Sequence, residues 1–104
     1  APNDRGIIVE DSVDNPGKPI GVRVRKNGIA GAGVGIFVFG SSGVEILANV
    51  ISAGTAAGIQ LTLTSDDNLI SGNRLNGNNP DVLDGGSNNC WRQNVYATGT
   101  VPPC

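Results

Sequence analysis

The sequence predicts an all-β solenoid, in which similar coils stack along one axis, and two repeated columns of residues carry this prediction. An Asn-x-apolar step occurs four times at intervals of 22, 24 and 21 residues, with its asparagines at Asn27, Asn49, Asn73 and Asn94. A second column consists of Gly6-Ile7, Gly35-Ile36, Gly58-Ile59 and Val82. A short pattern that returns at roughly this period indicates repeats that bury a hydrophobic face only against their neighbours.

The residues that follow the Gly-Ile step predict a strand in each coil. In the run from Ile59 to Leu63, apolar and polar residues alternate, so that Ile59, Leu61 and Leu63 face inward and Gln60 and Thr62 face outward. The 104-residue chain has 16 glycines and only 4% aromatic residues, which argues against a conventional core of large rings. We therefore expect one small domain with a narrow aliphatic core.

Two further apolar columns flank the asparagines and should also stack inward. One column lies three residues before each asparagine and contains Val24, Ile46, Ile70 and Trp91. The other lies two residues after it and contains Ile29, Ile51, Leu75 and Tyr96. The first coil is about six residues longer than the others, and the turn-forming residues 14–19 predict a looped insertion there.

The asparagine column has a structural explanation of its own. Asparagine tolerates the left-handed backbone conformation of a turn. When one asparagine lies at the same level in every coil, its carboxamide can also hydrogen-bond to those above and below. We predict that these four asparagines form an internal ladder and bind no ligand.

Together, the 21 to 24-residue period, the Gly-Ile openings and the Asn-x-Ile turns resemble the right-handed parallel β-helix, the pectate-lyase-like solenoid. The resemblance covers about residues 6–96 and implies about four coils. It also implies that the chain corresponds to the C-terminal coils of a longer secreted β-helix protein. Polysaccharide lyases, hydrolases and epimerases share this fold, so part of such an enzyme is one hypothesis for function, although fold alone is a weak argument for activity.

The C-terminal end of the predicted stack has the features of a cap. Trp91 would close the hydrophobic interior, and Cys90 and Cys104 are expected to form a disulfide around the tail 97–104, which follows the coils of residues 1–96. A disulfide indicates an oxidising compartment, so we expect an extracellular or periplasmic protein. The first coil, by contrast, shows no capping device. We expect upstream β-helix coils or a partner, such as a second copy, to cover it.

Composition excludes several classes of function. The net charge is −2, and the basic residues are scattered apart from Arg23–Lys26, which argues against nucleic acid binding. No apolar run is long enough to span a membrane. The chain contains no histidine, so a Ser-His-Asp triad is excluded. We predict no cofactor, no metal site and no catalytic residue.

Three groups of charged residues are candidate sites, but each has a better structural explanation. Asp66-Asp67 resembles the carboxylate pair of polygalacturonase-type glycosidases but lacks the accompanying motifs and falls in a turn. Asp81 and Asp84 do not have the spacing of a known calcium loop. Arg23 could bind an anionic sugar, but Glu45 occupies the same position one coil later, which favours a cross-coil ion pair.

One outward face is unusually apolar. If the Gly-Ile column points inward, Phe37, Gln60 and Leu83 point outward on the same sheet, and Phe39 lies beside Phe37. We expect these four residues to form a binding surface for a neighbouring chain or loop, or alternatively a platform for sugar stacking. The sequence therefore favours a non-catalytic structural, assembly or surface-interaction module of a secreted protein. A polysaccharide-active enzyme and a carbohydrate-binding module are the alternatives.

Overall fold

The computed structural model describes residues 5–10, 22–62, 64–101 and 104, and every regular element in these residues is a β-strand. The strands are β1 (Arg5–Glu10), β2 (Arg23–Arg25), β3 (Gly28–Ala30), β4 (Val34–Phe39), β5 (Glu45–Leu47), β6 (Val50–Ser52), β7 (Ala57–Leu61), β8 (Leu69–Ser71), β9 (Arg74–Asn76), β10 (Val82–Asp84) and β11 (Cys90–Arg92). The predicted insertion at 14–19 lies outside the described residues, as does Leu63.

The strands form three parallel sheets that wind into a β-solenoid of about three turns. The first sheet has the order β1-β4-β7-β10, the second β2-β5-β8-β11 and the third β3-β6-β9. An isolated bridge between Arg74 and Val95 extends the third sheet by one more residue pair. The prediction of an all-β parallel solenoid is confirmed, and Cys90 and Cys104 form the expected disulfide near the C-terminus.

The interior consists of aliphatic columns that run along the axis. Register places Ile7, Ile36, Ile59 and Val82 opposite one another in the first sheet. In the second sheet it aligns Val24, Ile46, Ile70 and Trp91. Each fully buried side chain of this kind stabilises the fold by roughly 1.5–3 kcal/mol. Tyr96 differs from the prediction, because it remains 38% exposed after the last pairing of the third sheet rather than lying inside.

The left-handed residue at each asparagine corner is the one before the asparagine, not the asparagine itself. Lys26, Ala48, Gly72 and Gln93 have φ values of 56°, 56°, 68° and 57°. The expectation that asparagine itself supplies this conformation was wrong. The preceding residue makes the bend, and the asparagine that follows is then free to hydrogen-bond between coils.

The glycine of the Gly-Ile step is explained by close packing at another corner. A Cβ atom built on Gly58 would lie 2.7 Å from Leu75 Cδ2 and would collide with the backbone carbonyl of Asp81. The same collision recurs one coil earlier, where a Cβ on Gly35 would lie 2.6 Å from the Gly58 carbonyl oxygen. Any side chain at this position would push neighbouring coils apart, so the column requires glycine.

Candidate functional site

An open groove of about 530 Å³ runs along the outward face of the first sheet. The residues that line it include Phe39, Leu83 and the outward residue Gln60, together with the polar residues Thr62, Thr64 and Asp84. Phe39 is 50% exposed and Leu83 43% exposed. Three of the four residues expected to form a binding surface therefore line one groove, which we call the sheet groove.

Phe37 lies on the same face but does not line the sheet groove. Its ring stacks on Phe39 with a centroid distance of 6.3 Å, and the guanidinium carbon of Arg5 lies 4.4 Å from the Phe37 ring centre. The ring of Phe37 is thus sandwiched and half-buried, which holds Phe39 in place beside it. Phe37 acts as a support for this face, while Phe39 presents its ring to solvent.

Two of the polar residues that line the sheet groove, Thr62 and Asp84, are already hydrogen-bonded within the protein. Asp84 Oδ1 accepts hydrogen bonds from Gly86 N–H and the Asn89 amide, and its Oδ2 accepts one of 2.7 Å from the Trp91 indole. The Thr62 hydroxyl accepts a bond from Gly40 N–H. The groove therefore offers a ligand mostly apolar surface, with Gln60 and Thr64 as further polar contacts.

Asp81 is the most heavily hydrogen-bonded carboxylate of the described residues, and it joins the tail to the stack. Its Oδ1 accepts bonds from the backbone and side-chain N–H groups of Asn78, and its Oδ2 accepts from Ala97 N–H and Thr98 N–H. The residue is only 1% exposed. Burial by itself raises the pKa of Asp81, but these donors outweigh it and hold the pKa below the ordinary value of 3.8.

The other charged candidates occupy separate parts of the surface. Asp66 lies in the connection between β7 and β8, where it accepts a bond from Ser87 N–H, and Asp67 has a φ of 60°. Arg23 donates to Glu45 at 2.7 Å across the coils. Neither group faces the sheet groove, so the structure does not assemble these charges into one site.

The asparagine ladder consists of four asparagines, Asn27, Asn49, Asn73 and Asn94, at successive levels of the solenoid. In each step the backbone N–H and the side-chain Nδ2 of one asparagine donate to Oδ1 of the next, over distances of 2.9–3.0 Å. Each later asparagine also donates its second Nδ2 hydrogen to a carbonyl of the preceding coil, which is that of Val24, Ile46 or Ile70. Asn49 and Asn73 are fully buried, so these bonds meet the requirement that buried amides be paired.

Two further asparagine corners were not predicted from the sequence. Asn68 and Asn89 repeat the ladder bonding between the first and second sheets, and Asn78 donates to the Ile51 carbonyl at the third corner. The signal was present, since Asn68 and Asn89 are 21 residues apart and each lies five residues before a ladder asparagine. Val44 occupies that column in the preceding coil, which hid the repeat.

Comparison with known protein families identifies the family of this chain. The family model described as "Periplasmic copper-binding protein (NosD)" matches residues 2–101 of the 104 residues. The chain belongs to the NosD family. No curated protein and no solved structure gave a significant match. The NosD family is periplasmic, which agrees with the extracellular or periplasmic location predicted from the cysteines.

The copper named in the NosD family description does not fit the residues of this chain. Proteins bind copper mainly through imidazole, thiolate and thioether groups. The sequence contains no histidine and no methionine, and its two cysteines are joined in the disulfide. Among the described residues, no group of three or more histidine, cysteine, aspartate or glutamate side chains could hold a metal ion.

No helix in the described part of the chain is long and apolar enough to cross a bilayer.

Proposed function

We propose that this chain is a non-catalytic β-solenoid module of a periplasmic protein, and that its sheet groove binds a protein partner. The observation that carries the proposal is the groove itself, which is lined by the half-exposed side chains of Phe39 and Leu83. Exposed apolar surface of this kind is typical of interaction sites. The occupant is an extended segment that inserts an apolar side chain between Phe39 and Leu83.

The state of the nearby carboxylate supports a binding role over a catalytic one. An acid or base for glycoside chemistry must face the substrate and be free to exchange a proton. Asp84 is the carboxylate that lines the groove, and both of its oxygens accept bonds that fix Trp91 and the following turn. Asp84 therefore serves the fold.

The same bonding pattern favours a protein segment over a sugar. Sugars need many converging hydrogen-bond partners besides a stacking ring, and the partner groups of Thr62 and Asp84 are already used. An apolar peptide side chain requires mainly desolvated surface, which Phe39, Leu61 and Leu83 provide. Carbohydrate binding is retained as the second candidate because of the exposed ring of Phe39.

Selection of a displayed peptide library on the purified protein tests this function. We expect enriched peptides to share an aromatic or aliphatic anchor and to lose at least about tenfold in affinity to Phe39→Ala and Leu83→Ala variants. Val50→Ala is the matched control, because Val50 is equally exposed but lies on the third sheet.

Three outcomes would contradict the proposal. Enriched peptides that bind all three variants equally would place the interaction elsewhere. Glycan-array binding that disappears in Phe39→Ala, without peptide binding, would assign the groove to carbohydrate. A dimer in sedimentation velocity that dissociates in Leu83→Asp would assign it to a second copy.

A further inference from the structure

The fold gathers at one corner basic residues that are mostly scattered in the sequence. The asparagine ladder marks this corner, where the chain bends from the second sheet to the third. Glu45 is the only acidic residue that the described strands place on these two sheets or at the corner between them. The basic residues there are Arg23, Arg25, Lys26, Arg74 and Arg92. Five positive charges against one negative charge give this region a net charge of +4, although the whole chain has a net charge of −2.

Four of these five basic residues remain available to a partner. Arg23 is paired with Glu45 across the coils. The other four are exposed and form no ion pair with the described residues. We call them the basic corner: Arg25, Lys26, Arg74 and Arg92. Cross-coil pairing explains Arg23 but not the basic corner, whose charges add nothing to the fold through ion pairs.

The basic corner follows the axis of the solenoid. Arg25 and Arg92 belong to one outward column of the second sheet and lie on its two end strands. Their Cα atoms are therefore about 14 Å apart, which is the width of three strand spacings. Lys26 makes the bend next to Arg25, and Arg74 begins β9 on the other side of the corner. Charges this close act together on a partner, because salt screens them over a similar distance of about 10 Å.

Exposed apolar side chains lie beside the two later arginines of the basic corner. Val95 is 62% exposed and is bridged to Arg74 at the end of the third sheet. Tyr96 follows it and is also exposed. Arg92 lies just across the corner from both residues. Cationic side chains mixed with aliphatic and aromatic groups are typical of protein surfaces that bind the interface of a lipid bilayer.

We propose that the basic corner docks on the surface of an anionic phospholipid bilayer. Its four cations bind headgroup phosphates, while Val95 and Tyr96 enter the interfacial layer. The sheet groove lies on the first sheet, which contributes no residue to the basic corner, so it remains free for its own partner.

Two features favour a bilayer over other anionic partners. The basic corner is convex, because its side chains point outward from a bend of the chain. A rigid acidic protein would need a matching concave surface, whereas lipid headgroups rearrange around each cation. An acidic polysaccharide would use the cations but would gain little from contact with Val95. The NosD family is periplasmic, and the membranes that bound the periplasm contain anionic lipids.

Flotation of the full chain with lipid vesicles tests the proposal. We expect binding to vesicles of phosphatidylcholine with about one third phosphatidylglycerol, and none to pure phosphatidylcholine. Arg74→Gln and Arg92→Gln should each lower the partition coefficient about fivefold. Raising the salt concentration from about 0.05 M to about 0.5 M should release the protein. Val95→Asn keeps every charge and should lower the coefficient at least about twofold, because an apolar contact is lost.

Asn79→Asp is the matched control. It changes the net charge as much as Arg74→Gln does, but at an exposed position in the connection from the third sheet to the first, so it should leave the coefficient unchanged. Equal midpoints in urea unfolding would show that all variants are folded.

Three results would overturn the proposal. One is the absence of binding to the anionic vesicles. Another is vesicle binding that Arg74→Gln, Arg92→Gln and Asn79→Asp weaken equally, since net charge alone would then explain it. The third is binding of polygalacturonate or polyglutamate that is lost in Arg74→Gln, without binding of vesicles. That result would assign the basic corner to an acidic polysaccharide or to an acidic protein segment.

Discussion

The two ends of the solenoid differ in what covers the outer edges of their terminal strands. At the C-terminal end, Trp91 closes the interior, Asp81 anchors the tail through Ala97 and Thr98, and the disulfide fixes the last residue. At the other end, the described residues place only the edges of β1, β2 and β3. The column of Val24, Ile46, Ile70 and Trp91 and the asparagine ladder continue from one end to the other, so the main difference lies in what the described residues place beyond them.

This contrast separates two sources of stability in a repeat protein. Interior coils gain from neighbours on both sides, whereas a terminal coil gains from one side unless a cap replaces the missing neighbour. Equivalent positions in one column should therefore respond differently to substitution according to their coil. The predictions below compare such positions, beginning with the largest expected effect.

Trp91 and Val24 stand at opposite ends of one inward column. Trp91 is 3% exposed, and its indole donates to Asp84, so Trp91→Ala leaves a cavity and an unpaired carboxylate oxygen. We expect a loss of about 4 kcal/mol in the free energy of unfolding, against about 2 kcal/mol for Val24→Ala. Urea unfolding followed by circular dichroism measures both, and equal losses would show that the cap adds nothing to the column.

Asn73 and Asn27 allow the same comparison within the ladder. Asn73→Ala leaves the backbone and side-chain donors of Asn49 and the carbonyl of Ile46 unpaired in the interior. We expect it to cost about 4 kcal/mol. Asn27→Ala removes one bond to Asn49, while the backbone bond persists, and should cost about 1 kcal/mol. A cost at Asn27 equal to that at Asn73 would mean that the outer edge of β2 and β3 is already covered in solution.

Asp81 should make the capped end sensitive to acid. Because the pKa of Asp81 in the folded protein lies below the ordinary 3.8, its contribution to stability is complete above that value. It is lost as the pH falls from 3.8 through the folded pKa, since the unfolded chain then binds the proton first.

Asp81→Asn isolates this contribution. The amide would place N–H groups against donors of Asn78 or of the tail, so we expect a loss of about 2 kcal/mol near neutral pH. The difference between the two proteins in the free energy of unfolding, measured in urea, should shrink as the pH falls below 3.8. A difference that stays constant over this range would remove Asp81 as the acid-sensitive group.

The coils and the disulfide could be predicted from sequence because their signals repeat or stand alone. The inward columns recur at fixed spacing, and only two cysteines exist to pair. The second asparagine ladder could not be predicted because Val44 interrupts its repeat. The role of Asp81 could not be predicted because its bond to the tail joins residues 16 positions apart, and such a contact leaves no periodic pattern in the sequence. The sheet groove was anticipated in part, since strand alternation places Phe39 and Leu83 outward, but the engagement of Asp84 by Trp91 depends on three-dimensional packing.

The smallest expected effect concerns the corner residues that precede the ladder asparagines. Gln93, at the capped end, and Lys26, in the first coil, have φ values of 57° and 56°. Gly72 occupies the same column between them. A side chain in this conformation costs about 1–2 kcal/mol, partly offset by the greater freedom of glycine in the unfolded chain. Gln93→Gly should therefore raise the free energy of unfolding by about 0.5–1 kcal/mol.

Lys26→Gly relieves the same strain but should raise global stability less, because β2 and β3 pair on one side only among the described strands and should therefore open locally before the whole protein unfolds. Its effect should instead appear as slower hydrogen exchange of amides in β2 and β3. Ala30→Gly, at an exposed strand position without positive φ, is the control and should destabilise by about 0.5–1 kcal/mol. Equal global gains from Gln93→Gly and Lys26→Gly would show that the first coil unfolds together with the rest, and the contrast between the two ends would then be one of structure and not of stability.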